Sequence, residues 1–270
     1  MSPLIKNVTL GADPELFLFD PFKNEFVSAI DQIGGTKYSP RPLELDGFFV
    51  QEDNTLVEFN IPASDSEDSF VYNLNTGMEL IKKQLPPNLE LRLQASAFYP
   101  DHQLKDPRAL MFGCDPDYNA WLGEMNSPPT CNPKMKMRSA GGHIHVGYEL
   151  DDKTIDEQDV NKNIIRWMDL FLGVPSIIMD TDVSRRKLYG KAGSYRDKPY
   201  GVEYRTLSSF WLGSSSKMAW AYKQTMRAVD AASNNKFIDK ILGSRIVQTI
   251  NVGNKDTASA LVSEFQLELA

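Results

Sequence analysis

The chain has 270 residues, 41% of them hydrophobic and 24% charged, with a formal net charge of −7. That length can bury a sizeable core, and no stretch approaches the roughly 20 apolar residues of a membrane span. The acidic balance, pI ≈ 5.1, argues against a nucleic-acid partner.

In chain order, the N-terminus Met1-Ser2-Pro3-Leu4-Ile5-Lys6-Asn7 lacks a signal-peptide hydrophobic region. A strand is expected over 8–19. Its Asp13 and Glu15 alternate onto one face ahead of a run rich in Phe and Leu. Further strands are expected at 25–30, 46–50, 54–61, 89–98, 140–148 and 201–208. Glu58 interrupts the apolar 54–61 segment, and Glu203 and Arg205 share a face of the last one. Ser64-Asp65-Ser66-Glu67 reads as a capping box opening a helix toward Leu85, stopped by Pro86-Pro87. Asp115-Pro116 reads as an N-cap and first helical proline before Tyr118 and Trp121. Val160, Ile164, Ile165, Met168, Phe171 and Leu172 form a helical apolar stripe. Helices near 214–233 and 254–268 close the chain, and the Met and Trp residues on these helices are read as core. The absence of a βαβ rhythm predicts an α+β fold, an antiparallel sheet backed by helices, as a single domain over 1–270. Two cysteines, Cys114 and Cys131, in so long a chain fit a reducing, cytoplasmic compartment.

Gly141-Gly142-His143-Ile144-His145-Val146-Gly147 holds two of the three histidines. In an extended strand both imidazoles point one way, an arrangement suited to a metal or phosphate, although a polar strand face with two surface histidines would show the same spacing. Charged groups in apolar strands are costly unless paired or bound to a cation. Four such strands, around Asp13/Glu15, Glu58, His143/His145 and Glu203/Arg205, read together as the lining of a cation-filled groove. Residues 184–198 add six cations among glycines and tyrosines. This is either a solvated loop or a phosphate and carboxylate clamp, and Arg186, Lys191 and Arg196 are its candidate clamp residues.

Those segments carry a family resemblance. Asp13-Pro14-Glu15-Leu16-Phe17-Leu18-Phe19-Asp20 resembles the Glu-Pro-Glu-Phe-Phe-Leu-Phe-Asp strand of glutamine synthetases. Residues 141–147 resemble their Ser-Gly-x-His-x-His segment and the Gly-Leu-His-Val-His-Val-Gly of glutamate–cysteine ligases. Leu56-Val57-Glu58-Phe59-Asn60 is similar to the Leu-Leu-Glu-Phe strand of the latter, and Glu203-Tyr204-Arg205 to the Glu-x-Arg strand of both. Tyr200 to Leu212 is most similar to the phage-encoded carboxylate–amine ligase group.

The resemblance implies a curved antiparallel, glutamine synthetase-like sheet with its site on the concave face. It implies an amidoligase using ATP and magnesium or manganese to join a carboxylate to an amine through an acyl phosphate. Asp13, Glu15, Glu58, His143 and Glu203 would hold two cations. His145 would sit beside phosphate, with Lys191 and Arg205 also on the nucleotide, and Arg205, Arg196 and Arg186 would serve catalysis. A further acidic ligand is either Glu52 or Asp53. Small-molecule or peptide acids and amines are the expected substrates, an oligomeric site is left open, and a phage-encoded copy would act in host cytoplasm. A guanidino-kinase-like phosphotransferase and a non-catalytic binding protein retaining the fold are the rival readings. A zinc hydrolase would need a third ligand, and His102, in a loop, reads as exposed.

Overall fold

The computed structural model describes residues 4–110, 117–127, 135–180, 182 and 184–270. Cys114, Cys131, Asp115 and Pro116 lie outside them. The strands are β1 (Ile5–Ala12), β2 (Glu15–Asp20), β3 (Glu25–Val27), β4 (Arg41–Pro42), β5 (Phe49–Asp53), β6 (Leu56–Asn60) and β7 (Glu90–Arg92). They continue with β8 (Ser96–Phe98), β9 (Tyr118–Asn119), β10 (Glu124–Met125), β11 (Met137–Ser139), β12 (Ile144–Leu150), β13 (Ser194–Lys198) and β14 (Gly201–Tyr204). The helices are α1 (Glu67–Lys82), α2 (Glu157–Met168), α3 (Val174–Met179), α4 (Ser215–Ser233), α5 (Lys240–Val252) and α6 (Lys255–Phe265).

Two main sheets result, with strand orders β1-β12-β14-β13-β9-β10 and β3-β2-β6-β5-β4, and β7 paired to β2. Every pairing among the described residues is antiparallel. The architecture is α+β, and its antiparallel sheet is strongly curled, like half a barrel.

The expected single strand over 8–19 is two strands in different sheets. Pro14 carries no N–H for a ladder and restricts Asp13 before it, so β1 ends at Ala12 and β2 starts at Glu15. Asp13 sits at the seam. Other boundaries shift similarly: 89–98 divides into β7 and β8, and the strand expected over 140–148 is β12, which starts only at Ile144, after the Gly141-Gly142 pair.

The first helix is capped by Ser66, whose Oγ accepts from Ser69 N while Ser69 Oγ accepts from Ser66 N. Ser64 is instead committed to a bridge with Leu10, each accepting the other's N–H at 2.8 Å. No helix follows Pro116 at Tyr118; Tyr118–Asn119 is β9, paired to β13 and β10. Helix α5 was not anticipated, although Asp239 caps its first turn and left-handed Gly253 ends it.

Behind the first sheet, Leu10, Ile144, Val146 and Val202 are fully buried with Ile164, Ile165 and Met168 of α2 and Ala221 of α4. The second sheet packs Leu16, Leu18, Val57 and Phe59 with Phe70 and Leu74 of α1. Gly77 allows that approach, since a Cβ there would lie 2.8 Å from Phe59 Cε2.

One buried carboxylate ties this scaffold together. Asp169, fully buried, accepts from Trp121 Nε1 (2.6 Å), Gly193 N (2.6 Å), Tyr204 OH (2.8 Å) and Thr206 Oγ1 (3.3 Å). It thereby holds the root of β13 and the two neighbours of Arg205. Asp169→Ala should orphan these donors and destabilise the fold by on the order of 3 kcal/mol or more. Thermal unfolding tests this, and a wild-type midpoint would refute the role.

Candidate active-site cleft

Because side chains alternate along strands, burying Ile144, Val146 and Val202 turns His145 and Glu203 to the opposite face. The register then aligns one row across the first sheet: Gly11 opposite His145, His145 opposite Glu203, and Glu203 opposite Arg196. Gly11 leaves room beside the imidazole, its missing Cβ falling 3.6 Å from His145 Cβ. In the second sheet Glu15 lies opposite Glu58, and Glu58 opposite Gln51. The seam at Asp13 joins the rows, and both line a cavity of ≈ 640 Å³. A smaller pocket of ≈ 60 Å³ shares Glu15, Asp53, His143 and Arg205 with it and adds Asp117, Arg138 and Arg185.

Two clusters with metal-ligating atoms face this cleft, Asp13–His145–Glu203 and Glu15–Asp53–Glu58. In the first, Asp13 Oδ1 lies 3.1 Å from His145 Nε2 and 3.2 Å from His143 Nδ1, and His143 Nδ1 is 3.5 Å from Glu203 Oε1. Both imidazoles thus face Asp13, as the strand spacing predicted. Asp13 Oδ1 and His145 Nε2 are buried with each other as close partner, and the buried Glu203 Oε2 has Lys198 Nζ at 2.7 Å. Buried polar atoms are normally satisfied. A hard divalent cation fits these oxygen and imidazole donors.

The imidazoles differ. Burial and the Arg205 charge bring His143 down to about 4, so it is neutral at pH 7 with a lone pair to give. Burial also opposes charge on His145, but Asp13 outweighs it and raises its pKa. Tyr200 OH lies 2.7 Å from His145 Nδ1 and fixes that ring. Burial pushes Asp13 up, yet the two imidazoles hold it well below the usual carboxylate range. Burial likewise opposes ionisation of Glu203, and Arg205 overrides it, bringing it to about 2. Glu203 is fully buried with Arg205 Nη1 in contact, Lys198 Nζ 2.7 Å away and Arg196 Nη1 3.5 Å away.

The second cluster has the opposite electrostatics. Burial, then the Asp53 charge, raises Glu15 to about 8. Burial, with Asp13, Asp53 and Glu15 around it, raises Glu58 well above its ordinary value, and burial raises Asp53. Glu15 Oε2 accepts from Gly141 N (2.6 Å), and Glu58 Oε1 from Gln51 Nε2 (2.8 Å). Three carboxylates so close together, one buried and two partly buried, disfavour one another's charge and could hold a cation.

Sequence reasoning placed Asp13, Glu15, Glu58, His143, His145, Arg196, Glu203 and Arg205 near one another; all but Glu203 line the cleft, and Glu203 lies fully buried against Arg205 and Lys198. Asp13 and Glu15 do not share a strand face; each serves a different cluster. Of the two acidic candidates, Asp53 joins the cluster, whereas Glu52 accepts from Gly34 N (2.8 Å). Arg186 is not at the cleft: it is buried and donates to Ser176 Oγ (3.1 Å). Lys191 is exposed and lines neither pocket. Their neighbours take those places. Arg185 lines the small pocket, donating to Thr206 O (2.9 Å), because the 184–187 turn directs alternate arginines to opposite sides. Lys198 lies two residues from Arg196 on the same strand face, a spacing visible in the sequence. His102 is exposed beside Glu25 (3.3 Å), away from the cleft.

The site therefore combines two clusters of donor atoms that could hold a metal ion with a wall of Arg and Lys. Residues 132–258 match the family described as phage phiEco32-like COOH.NH2 ligase-type 2. That agrees with the resemblance read from the motifs. The match takes in His143, His145, Glu203 and Arg205, while Asp13, Glu15, Asp53 and Glu58 precede it. No curated protein matches the sequence. Among solved structures, a bifunctional glutathione synthetase from Pasteurella multocida is similar over 96% of this chain and 49% of its own, at 10% identity and a TM-score of 0.39. The chain spans about half the length of that protein. No described helix is long and apolar enough to cross a membrane.

Proposed function

We propose that the chain is an ATP-dependent carboxylate–amine ligase on a glutamine synthetase-like sheet, with Asp13, His143, His145 and Glu203 holding one magnesium and Glu15, Asp53 and Glu58 another. The observation that carries this is the pair of donor clusters sharing one cleft, with His143, His145 and Glu203 inside the family match. Bound magnesium supplies charge neutralisation on the phosphates.

The chain's own residues supply positioning. Arg196 and Lys198, projecting from one face of β13, are placed to hold phosphate oxygens. Arg205, braced by Glu203, lies between the two pockets and stabilises charge developing on the transferred group. In the first step a carboxylate oxygen attacks the γ-phosphorus and the bond to the β-phosphate oxygen breaks, giving an acyl phosphate and ADP. In the second, the amine nitrogen attacks the acyl carbon and phosphate leaves, while the amine proton passes to a carboxylate base. The small pocket behind Arg205, with Arg185 and Asp117 on its walls, is suited to a compact charged substrate. Substrates are small acids and amines or peptides, and the protein works in a reducing cytoplasm. The test is phosphate release across a matrix of acids and amines. Release that requires one member of each class supports the ligase; release with a guanidine alone would favour a kinase.

The charge balance orders the cations. Glu203 already faces Lys198, Arg196 and Arg205, and Asp13 the two imidazoles, whereas Glu15, Asp53 and Glu58 repel one another. One divalent ion is expected to bind without nucleotide and a second only with polyphosphate. Manganese binding followed by electron paramagnetic resonance checks this; two equivalent ions without nucleotide would contradict it.

A further inference from the structure

The cleft has two walls of unequal charge. Arg196 and Lys198 line it from the first sheet. From the opposite side, residues 37–63, the described lining is Lys37, Pro40, Gln51, Asp53, Glu58, Asn60, Ile61 and Ala63. Lys37 is the one cation among these, and neither the sequence motifs nor the family match assigns it a role. We infer that Lys37 is an anion-binding residue that grips the polyphosphate of a magnesium-bound nucleotide from the wall opposite Arg196 and Lys198, an inference that rests on the ligase reading.

The turn carrying it is built to hold a side chain in place. Thr36 and Ser39 exchange backbone hydrogen bonds, each 3.0 Å, leaving Lys37 and Tyr38 at the tip. The stem is pinned to the strand bearing Asp53: Glu52 Oε1 accepts from Gly34 N (2.8 Å), and Glu52 N donates to Gly35 O (3.3 Å). Arg41 Nε donates to Ile33 O (2.9 Å), and Arg108 binds Asp31 (2.8 Å). Gly35 has φ 81°, and a Cβ there would collide with Val50 O, so the turn lies flat against β5. Both tip residues are exposed, but only Lys37 lines the cleft; Tyr38 is 91% exposed and lines no part of it. An anion spanning the cleft meets cations on both walls, whereas a metal ion on Glu15, Asp53 and Glu58 is opposed by Lys37. The residue therefore acts with opposite sign on the two ligands.

The test is calorimetry on the full chain and on Lys37→Ala, Lys37→Arg and Tyr38→Ala, with magnesium-tripolyphosphate, a magnesium-bound non-hydrolysable ATP analogue, and manganese alone. Lys37→Ala is expected to weaken tripolyphosphate and the analogue equally, by roughly tenfold or more, as for one charge-assisted hydrogen bond. It should bind manganese at least as tightly as the wild type. Lys37→Arg should retain most anion binding, and Tyr38→Ala, on the same turn but facing solvent, should match the wild type throughout. Unchanged tripolyphosphate binding in Lys37→Ala would overturn the inference, as would weakened manganese binding in both Lys37→Ala and Tyr38→Ala, which would mark a collapsed turn. If the wild type itself binds neither polyphosphate, the ligase reading fails and takes this inference with it. If the wild type binds and Lys37→Ala binds equally, only the Lys37 role fails.

Discussion

Glu203→Gln is expected to lose magnesium-dependent nucleotide binding by 100-fold or more and to lower thermal stability at the same time. Both effects come from one geometry. The carboxylate is fully buried and offers a ligand atom with Asp13 and His145, so an amide there removes an anionic donor. It is also the counter-charge for Arg205, Lys198 and Arg196. Removing one partner of a buried ion pair leaves the others uncompensated, at a cost on the order of 3 kcal/mol. The stability loss should shrink on acidification toward the native pKa of about 2, because a carboxyl held low contributes above its unfolded value and loses that contribution as pH falls. Nucleotide binding equal to wild type in a folded Glu203→Gln protein would remove Glu203 from the site.

Glu58→Gln should separate the two effects by reversing one of them. Glu58 sits among like charges, and burial holds its pKa well above normal. A carboxyl raised in this way stabilises the fold relative to its unfolded state only at low pH. Its penalty grows as pH climbs above the unfolded value of about 4.5 toward the native one. An amide carries no such penalty. Metal-free Glu58→Gln is therefore expected to be more stable than wild type at pH 7, on the order of 1–3 kcal/mol, and equal to it near pH 4. Metal binding at the Glu15–Asp53–Glu58 cluster should fall by 100-fold or more. Because Glu15 titrates near 8, wild-type metal affinity should also rise with pH to that point, each binding event releasing protons. Thermal melts with and without magnesium, across pH 4–9, read both effects. A Glu58→Gln protein less stable than wild type at pH 7 would contradict the crowded-carboxylate account.

Much of this site could be read before the fold was known, and the reason is strand periodicity. His143 and His145, or Glu203 and Arg205, announce a shared face by spacing alone. The ordered motifs then place those faces together. What spacing could not supply is the seam. Asp13 and Glu15 look like one strand face, and only the proline break sends them to separate clusters. Nor could spacing choose between Glu52 and Asp53, adjacent residues on opposite strand faces, until pairing with β6 fixed which one faces Glu58. Within the basic segment, sequence located the charge but not its direction. Arg185 and Arg186 are chemically equivalent in the chain, and one tight turn sends the first to the site and the second to Ser176. Lys37 lies outside every motif that resembles the family's, in the stretch between Asp13–Asp20 and Leu56–Asn60. It becomes visible only when the two sheets stand on either side of one cleft.

The most direct test of the account is calorimetric titration of the wild-type protein with a non-hydrolysable ATP analogue, with and without magnesium. The account predicts saturable binding that requires the metal and is lost in Glu58→Gln and Glu203→Gln. Equal binding with and without magnesium, or binding that survives both substitutions, would contradict it.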